Sequence, residues 1–160
     1  MVSRLLLALT AACSIARPCD CPEPTVQRSR DYAEVIFRGT IVAFKYAKPR
    51  LELKGLVRDI GQTAVFHVSR VWKGNVGEIF EMPAVTETET SMCIGFRPAH
   101  LRLGNDLLVY ASRTRGTGEY FFTNTCSRTR LSSLAEKTHD FEALGPGEAP
   151  KPPALKKRAP

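Results

Sequence analysis

Hydrophobic and polar positions alternate over long stretches in the middle of the chain, a pattern typical of β-strands with one buried face. Five such segments, rich in β-branched and aromatic residues, predict five strands. They are AEVIFRGTIVAFKY, TAVFHVSRVWK, GEIFEMPAV, DLLVYASR and EYFFTNTC. Five strands in a small domain predict a mainly β fold, a partly closed barrel, of which the five-stranded OB-fold is the commonest form.

Two other segments have patterns that favour short helices. TVQRSRDYAEV is compatible with a helix that leads into the first strand. SSLAEKTHDFEAL carries Ser133 and Glu136 at a capping-box spacing and supplies Leu134, Phe141 and Leu144 for an apolar face. We therefore expect one short C-terminal helix and a fold that ends near Leu144. KPRLELKGLVRDIGQ is interpreted as a loop that joins the first two strands.

The first 16 residues have the pattern of a signal peptide. Arg4 precedes an apolar run, and small residues lead to a cleavage site after Ala16. The run is much shorter than the roughly 20 residues that span a bilayer, so we expect no transmembrane segment. The prediction is a secreted, extracytoplasmic protein; the alternative is a lipoprotein anchored through Cys13.

The domain is expected to cover residues 17–144 and to be followed by a basic tail. Residues 145–160 are rich in proline, glycine and lysine and have few apolar side chains, so we predict that they are disordered. The tail also carries much of the basic excess behind the net charge of +7, which weakens any argument from charge to function.

A second group of basic residues lies around the last predicted strand. OB barrels often bind single-stranded nucleic acid by stacking bases beside such cations. Because export argues against that partner, we interpret the group as a solvated rim and expect no nucleic-acid binding. Its members are Arg113, Arg115, Arg128 and Arg130.

Four cysteines follow the leader, an even number that favours disulfides in an exported domain. They are Cys19, Cys21, Cys93 and Cys126. Cys19 and Cys21 lie two residues apart on an extended segment and project to opposite sides, so a bond between them would be strained. Each therefore needs a distant partner, which would fix the PCDCP segment to the barrel. Spacing alone leaves the pairing open.

The remaining candidates for chemistry do not form a recognised site. A zinc site would pair the close cysteines with a second close pair, which Cys93 and Cys126 do not make. Glu87 and Glu89 share one side of an extended stretch, an arrangement more typical of a solvated loop. His67 is expected on one face of a strand and the other two histidines, His100 and His139, at the surface. We expect no enzymatic activity, no cofactor and no metal of its own.

The order of these elements resembles the N-terminal domain of the tissue inhibitors of metalloproteinases, a netrin-type OB module that also has bacterial relatives. The resemblance covers about residues 19–144, and the segments that carry it are CDCP, AEVIFRGTIVA, FHVSRVWKG, MCIG, LLVYAS and TCSRTRLSSL. The resemblance implies disulfides between Cys19 and Cys93 and between Cys21 and Cys126. It also implies a secreted inhibitor whose partner is a zinc metalloendopeptidase.

The resemblance places the inhibitory ridge at Cys19 and Asp20. In the animal inhibitors the α-amine and carbonyl of the first cysteine chelate the zinc of the protease and displace its water. The next side chain, here Asp20, would point toward the specificity pocket, where a carboxylate carries a desolvation cost. Cleavage after Ala16 would leave Arg17 and Pro18 in front of Cys19, whose nitrogen would then be an amide and could not chelate.

A different function remains open at this point. The chain lacks the further cysteine-rich domain and the third bridge of the animal inhibitors, and a fold does not by itself specify a function. The alternative is therefore a non-inhibitory, secreted OB-fold module that binds another extracellular protein. Such a module would use exposed aromatic side chains, for which Trp72, Tyr120 and Phe122 are the candidates.

Overall fold

The computed structural model describes residues 21–46, 50–53, 56–59, 62–86, 93–113 and 120–152, and only the backbone of 50–53 and 56–59. Its strands are β1 (Val35–Lys45), β2 (Arg50–Leu53), β3 (Leu56–Asp59), β4 (Thr63–Lys73), β5 (Ile79–Pro83), β6 (Asp106–Arg113), β7 (Phe121–Phe122) and β8 (Arg130–Leu131). Its α-helices are α1 (Val26–Tyr32), α2 (Ser132–Lys137) and α3 (Asp140–Leu144), and Pro98–His100 forms a 3₁₀ turn. The prediction of a mainly β protein with a few short helices is confirmed.

The main sheet is antiparallel and curls into a half-barrel. Its strand order is β5-β4-β1-β6-β7, and β8 also pairs with β6. The two ends of this order meet, because the ring of Phe80 in β5 lies 5.4 Å from the ring of Phe121 in β7. β1 is central, and its Phe37 lies opposite Val71 of β4 and Val109 of β6.

Both faces of the central strands are buried, which explains the nearly continuous apolar run DLLVYAS. Leu107 and Val109 face the interior of the half-barrel, where Phe37 and Phe66 pack edge to face at 5.5 Å. The alternate residues, Leu108 and Tyr110, pack on the other face against the helices. The helices therefore cover the outside of the sheet beside β6.

The structure corrects three details of the predicted strands. The segment interpreted as a loop forms a hairpin of β2 and β3, with Arg50 opposite Asp59. The last predicted strand, EYFFTNTC, forms among its described residues only the two-residue strand β7 and an isolated bridge from Asn124 to Ile94, because the chain then turns away to bring Cys126 to the N-terminal segment. The strand β8 was not predicted.

The helices also differ in detail from the prediction. α1 begins after Thr25, whose side chain caps it by accepting a hydrogen bond from the amide of Arg28 at 3.2 Å. The prediction of a single C-terminal helix is wrong. α2 and α3 are separate helices because His139 between them adopts a left-handed backbone conformation, with φ at 56°. The predicted capping box does not form, since Leu131 precedes α2 and no side chain caps it.

The chain after Leu144 pairs with β4, so the folded part extends beyond the predicted end. The amide and carbonyl of Val71 bond to the carbonyl and amide of Glu148 at 2.9 and 2.7 Å. Trp72 donates its indole N–H to the carbonyl of Gly145 at 2.8 Å. The C-terminal stretch can pair here because β5 pairs with β4 only as far as His67, which leaves the outer edge of β4 near Val71 accessible. The remainder of the predicted tail, residues 153–160, lies outside the described residues.

The structure contains, within the part of the chain that it describes, no helix long and apolar enough to cross a membrane.

Candidate functional site

The predicted inhibitory residues, Cys19 and Asp20, lie outside the described residues, as do the leader, Cys13, Arg17 and Pro18. The first residue that the structure describes is Cys21. The structure therefore shows how the segment directly after the predicted ridge is held. We call this segment, residues 21–25, the N-terminal segment.

A disulfide joins the N-terminal segment to the end of the sheet. Cys21 and Cys126 are bonded, their Cα atoms are 5.5 Å apart, and 105 positions separate them in sequence. This is one of the two bonds that the resemblance implies. Cys93 is also disulfide-bonded. Its pairing with Cys19 stays a prediction, because Cys19 lies outside the described residues.

The loops that carry Cys93 and Cys126 lie side by side. The amide of Thr125 donates to the carbonyl of Cys93 at 3.0 Å, and the amide of Gly95 donates to the carbonyl of Thr123 at 2.8 Å. Residues 93–96 and 123–127 thus form one surface, which we call the cysteine platform. Because its two loops are bonded to each other, the disulfide at Cys126 is attached to a connected piece of backbone and not to a single isolated turn.

Gly95 allows the cysteine platform to approach the chain after β5. Its φ is +120°, and a Cβ atom there would lie 2.5 Å from the carbonyl oxygen of Val85. The next amide, that of Phe96, donates to the same carbonyl at 2.8 Å. The glycine of the MCIG motif is therefore required by a close approach of two backbones.

Arg128 holds the N-terminal segment from beneath by hydrogen bonds and ion pairs. One of its terminal nitrogens donates to the carbonyl of Pro24 at 2.7 Å and lies 3.0 Å from a carboxylate oxygen of Glu23. Its Nε donates to Asp140 at 3.2 Å, and its other terminal nitrogen bonds the second oxygen of that fully buried carboxylate. Burial is the largest single effect on the pKa of Arg128 and lowers it, but the hydrogen bond to Asp140 and the negative charges of Asp140 and Glu23 together outweigh burial, so the pKa is raised.

Arg130 makes a second set of contacts with the same segment. Its guanidinium pairs with Glu23, donates to the carbonyl of Arg128 at 3.2 Å and to the hydroxyl of Thr138 at 3.3 Å. The hydrogen bond from Arg130 lowers the pKa of Glu23. The N-terminal segment therefore has one covalent and two ionic attachments to the rest of the fold.

These contacts overturn the interpretation of the arginine group as a solvated rim. The side chains of Arg128 and Arg130 are each only 10% exposed, because both serve the buried carboxylate of Asp140 and the N-terminal segment. Arg113 alone keeps the predicted exposed character, pairing with Glu34 at 3.5 Å and covering the ring of Phe121. Arg115 lies outside the described residues.

His100 is also placed differently from the prediction. It was expected at the surface, but it is buried at the end of the 3₁₀ turn, and its Nδ1 has no hydrogen-bond partner within the described residues. Burial lowers its pKa to about 4, with smaller contributions from the charges of Arg97 and Arg130. His139 is exposed as expected, and His67 lies on β4 with its side chain exposed.

The aromatic residues suggested for a binding surface do not form one. Trp72 is half-buried and stacks on Phe141 at 5.5 Å. Phe122 is buried, and Tyr120 packs against it and Val85. The large apolar side chains that are exposed among the described residues are Tyr32, Val42, Tyr46, Ile79, Leu103 and Leu134.

The ionic attachments could not have been identified from motif spacing. Arg128 and Arg130 lie two positions apart on extended backbone, a spacing that places both side chains on the same side of the chain. This is the one local signal that the two arginines act together. Their partner Glu23 is more than one hundred positions away, and nothing near Asp140 indicates that it is buried. Glu87 and Glu89 lie outside the described residues.

Among the described residues, no group of three or more histidine, cysteine, aspartate or glutamate side chains could hold a metal ion. A scan of protein-family models and a search of curated proteins find no match to this sequence.

Proposed function

We propose that this protein is an exported, non-catalytic inhibitor whose N-terminal ridge, Cys19 and Asp20, enters the active site of a zinc metalloendopeptidase. The observation that carries the proposal is the attachment of residues 21–25. Cys21 is bonded to Cys126, and Pro24 and Glu23 are held by Arg128 and Arg130. A ridge whose base is fixed in this way loses little conformational entropy when it binds, which favours tight binding by a small contact surface.

We propose further that the half-barrel is an OB-fold of the netrin type. The strand order supports this, since β1 lies between β4 and β6 and β5 follows β4 at one edge. The contact between Phe80 and Phe121 also supports it, because it brings the last strand of the path toward β5, as closure of a barrel would require. The Cys21–Cys126 disulfide is compatible with an extracytoplasmic location, where such bonds persist.

The proposed mechanism depends on the residue at which the mature chain begins. If processing exposes Cys19, its uncharged α-amine and its carbonyl oxygen can both bind the zinc of the protease and displace the water that the zinc activates. If the chain begins at Arg17, the Cys19 nitrogen is an amide with no free lone pair for the metal. In the form that begins at Cys19, the Asp20 side chain would favour proteases whose specificity pocket supplies a cation, because a buried carboxylate needs a partner of opposite charge.

The test compares two forms of the protein. One begins at Cys19 and the other at Arg17, and each is titrated against a panel of zinc endopeptidases. The proposal expects stoichiometric inhibition by the Cys19 form and a loss of at least about 100-fold in affinity for the Arg17 form, since two metal bonds are lost. Acetylation of the Cys19 amine is the matched control and should weaken inhibition to the same degree.

Mass spectrometry of the exported protein identifies which form is natural. Equal potency of the Cys19 form and its acetylated control would contradict zinc chelation. Failure of both forms against every protease would favour the alternative, a non-inhibitory module that binds another extracellular protein.

A further inference from the structure

A groove lies between the end of α1, the last residues of β4 and the stretch of chain that follows Leu144. Its volume is about 430 Å³, which is within the range of about 300–1,000 Å³ that is usual for ligand-binding clefts. Its lining includes the charged residues Arg30, Lys73 and Glu148 and the half-buried Trp72. Every lining residue, together with its neighbours in the chain, belongs to the described part of the structure.

Arg30 and Lys73 bring two positive charges to the same side of the groove. The ammonium of Lys73 donates to the carbonyl of Arg30 at 2.7 Å and lies 3.5 Å from the carbonyl oxygen of Asp31. The ammonium therefore lies against the last turn of α1, next to the residue that carries the guanidinium. Because an ammonium has three N–H donors, at least one remains after these two contacts. Arg30 is solvent-exposed, so a ligand can reach its guanidinium.

The two cations at this side of the groove lack a counterion among the described residues. Neither Arg30 nor Lys73 forms an ion pair with a described carboxylate, whereas Arg38, on the neighbouring strand β1, pairs with Asp106 at 2.7 Å. Two like charges that lie close together repel each other, and an anion that binds between them removes this repulsion.

The charge around the whole groove is also positive. Arg70 adds a third cation at its rim, where the guanidinium bonds to the carbonyl of Pro146, a lining residue. Among the lining residues, all of which are described, Glu148 is the only one with a carboxylate. Three cations thus face one anion.

We propose that this groove binds an acidic segment of a partner protein, one carboxylate of which is held between the guanidinium of Arg30 and the ammonium of Lys73. Both cations can donate charge-assisted hydrogen bonds to such a carboxylate. The volume of the groove is larger than one small anion fills, and Trp72 offers apolar surface to the residues beside the carboxylate. Glu148 disfavours a compact, doubly charged anion such as phosphate, because it repels the second charge.

This inference does not rest on the proposed inhibitory function. It uses only the described residues around the groove, and its binding experiment requires no protease. A protein that inhibits nothing could still bind an acidic segment here, and an inhibitor could fail to do so.

The fluorescence of Trp72 in the full chain tests the proposal, because Trp72 is the only tryptophan of the sequence and lies in the groove. The probe is N-acetyl-triglutamate amide, its uncharged control is N-acetyl-triglutamine amide, and inorganic phosphate represents a free anion. At neutral pH and constant ionic strength, we expect a saturable change with the acidic peptide only. Its dissociation constant should increase several-fold when the salt concentration rises from about 50 to 200 mM, since salt screens the charges.

Arg30→Gln should weaken binding of the acidic peptide about tenfold, because it removes one of the two charged donors. Arg28→Gln is the matched control. It replaces an exposed arginine of the same helix that does not line the groove and lies over the ring of Tyr32, and it should bind the peptide as the original protein does.

A second variant should strengthen binding, an effect that a damaged fold would not produce. Glu148→Gln removes the only carboxylate of the lining and should tighten binding of the acidic peptide about threefold. Glu142→Gln, an exposed glutamate outside the groove, should leave binding unchanged.

The proposal is overturned if the fluorescence of Trp72 shows no saturable change up to about 20 mM acidic peptide, because two charge-assisted contacts predict tighter binding. It is also overturned if phosphate or the glutamine peptide binds as tightly as the acidic peptide. Equal losses of binding in Arg30→Gln and Arg28→Gln would likewise contradict it, since they would indicate a general effect of positive charge.

Discussion

Arg128 and Asp140 form a buried ion pair, with the Asp140 side chain fully inaccessible to solvent and the Arg128 side chain 10% exposed. The pair links α3 to the chain that precedes α2. Because the same guanidinium also bonds Pro24 and Glu23, it couples the C-terminal helix to the N-terminal segment.

Replacement of Asp140 should destabilise the protein strongly. Asp140→Asn removes the buried counterion of Arg128 and leaves it only the exposed carboxylate of Glu23, so we expect the free energy of unfolding to fall by about 3–5 kcal/mol. Urea unfolding followed by circular dichroism measures this change. On the same helix, Glu142→Gln removes only an exposed pair with His139 at 3.1 Å and should change stability by less than about 1 kcal/mol.

A double replacement checks that the cost arises from the charge. Arg128→Met combined with Asp140→Leu removes both charges, so it should be less destabilising than Asp140→Asn alone. A double variant that is at least as unstable as the single one would show that the hydrogen bonds to the N-terminal segment, and not the buried charge, dominate.

Stability should fall on mild acidification because of His100. Its pKa is about 4 in the folded protein and near the ordinary 6.5 in the unfolded chain. Between these values the unfolded chain binds more protons, so the free energy of unfolding decreases as the pH falls from 6.5 to 4 and levels off below that. Because the ring is not completely buried, at 8% exposed, we expect a loss of about 1–2 kcal/mol.

The comparison of His100→Phe with His67→Phe isolates this effect. Unfolding curves at several pH values should show that the first variant loses the decline between pH 6.5 and 4. The second variant should retain it, because His67 is exposed on β4. An unchanged decline in His100→Phe would rule out this histidine as its source.

Glu23→Gln should loosen the N-terminal segment without unfolding the domain. It removes the charge that pairs with Arg128 and Arg130, while the Cys21–Cys126 bond remains. We expect amide hydrogen exchange to accelerate several-fold at Arg28 and Ser29, whose amides donate to the side chain and the carbonyl of Thr25, because the segment opens locally more often. Exchange is measured at neutral pH, which lies well above the lowered pKa of Glu23, so the carboxylate of the unsubstituted protein is ionised.

Glu136→Gln is a close control for that experiment. The side chains of Glu23 and Glu136 are each 58% exposed, and Glu136 also faces an arginine, Arg38, at 3.4 Å. Exchange at Arg28 and Ser29 should be unaffected in this variant. Equal acceleration in both variants would indicate a general effect of lost surface charge.

Gly95→Ala should be more damaging than Gly104→Ala. Both glycines have positive φ, so both replacements strain the backbone. At Gly104 nothing lies within 4 Å of the added methyl group, and we expect a cost of about 1 kcal/mol. At Gly95 the methyl group would meet the Val85 carbonyl, so the platform must shift, and we expect about 3 kcal/mol or more. Thermal unfolding of the two variants distinguishes these costs.

The strands with long alternating patterns could be predicted because each has a partner on both sides and a buried face. β1 and β4 are the clearest cases, each 11 residues long and paired with the other. β2 and β3 were missed because their pairing is local and their sequence has few β-branched residues. The length of β7 was overestimated in the prediction. The strand ends early because Cys126 must reach Cys21, and the sequence around β7 does not show this long-range contact.

Of the candidate site, only the disulfide that holds the N-terminal segment could be predicted from the sequence. Cysteine order and the resemblance together indicated the bond between Cys21 and Cys126. The burial of Arg128, Arg130 and His100 was missed, because a polar side chain is buried by partners that are distant in sequence. The isolated appearance of His100 in the sequence is therefore a poor guide to its surroundings.

The pairing of Glu148 with Val71 also has a consequence for solubility. β5 pairs with β4 as far as His67, and the amide of Val68 still bonds to the carbonyl of Glu78. Beyond Val68, the outer edge of β4 would otherwise present unpaired backbone donors and acceptors to a neighbouring molecule. The chain's own C-terminal stretch occupies that edge, and its glycines and prolines make it a poor template for a further strand. This stretch of β4 is thus protected by the chain itself against edge-to-edge aggregation.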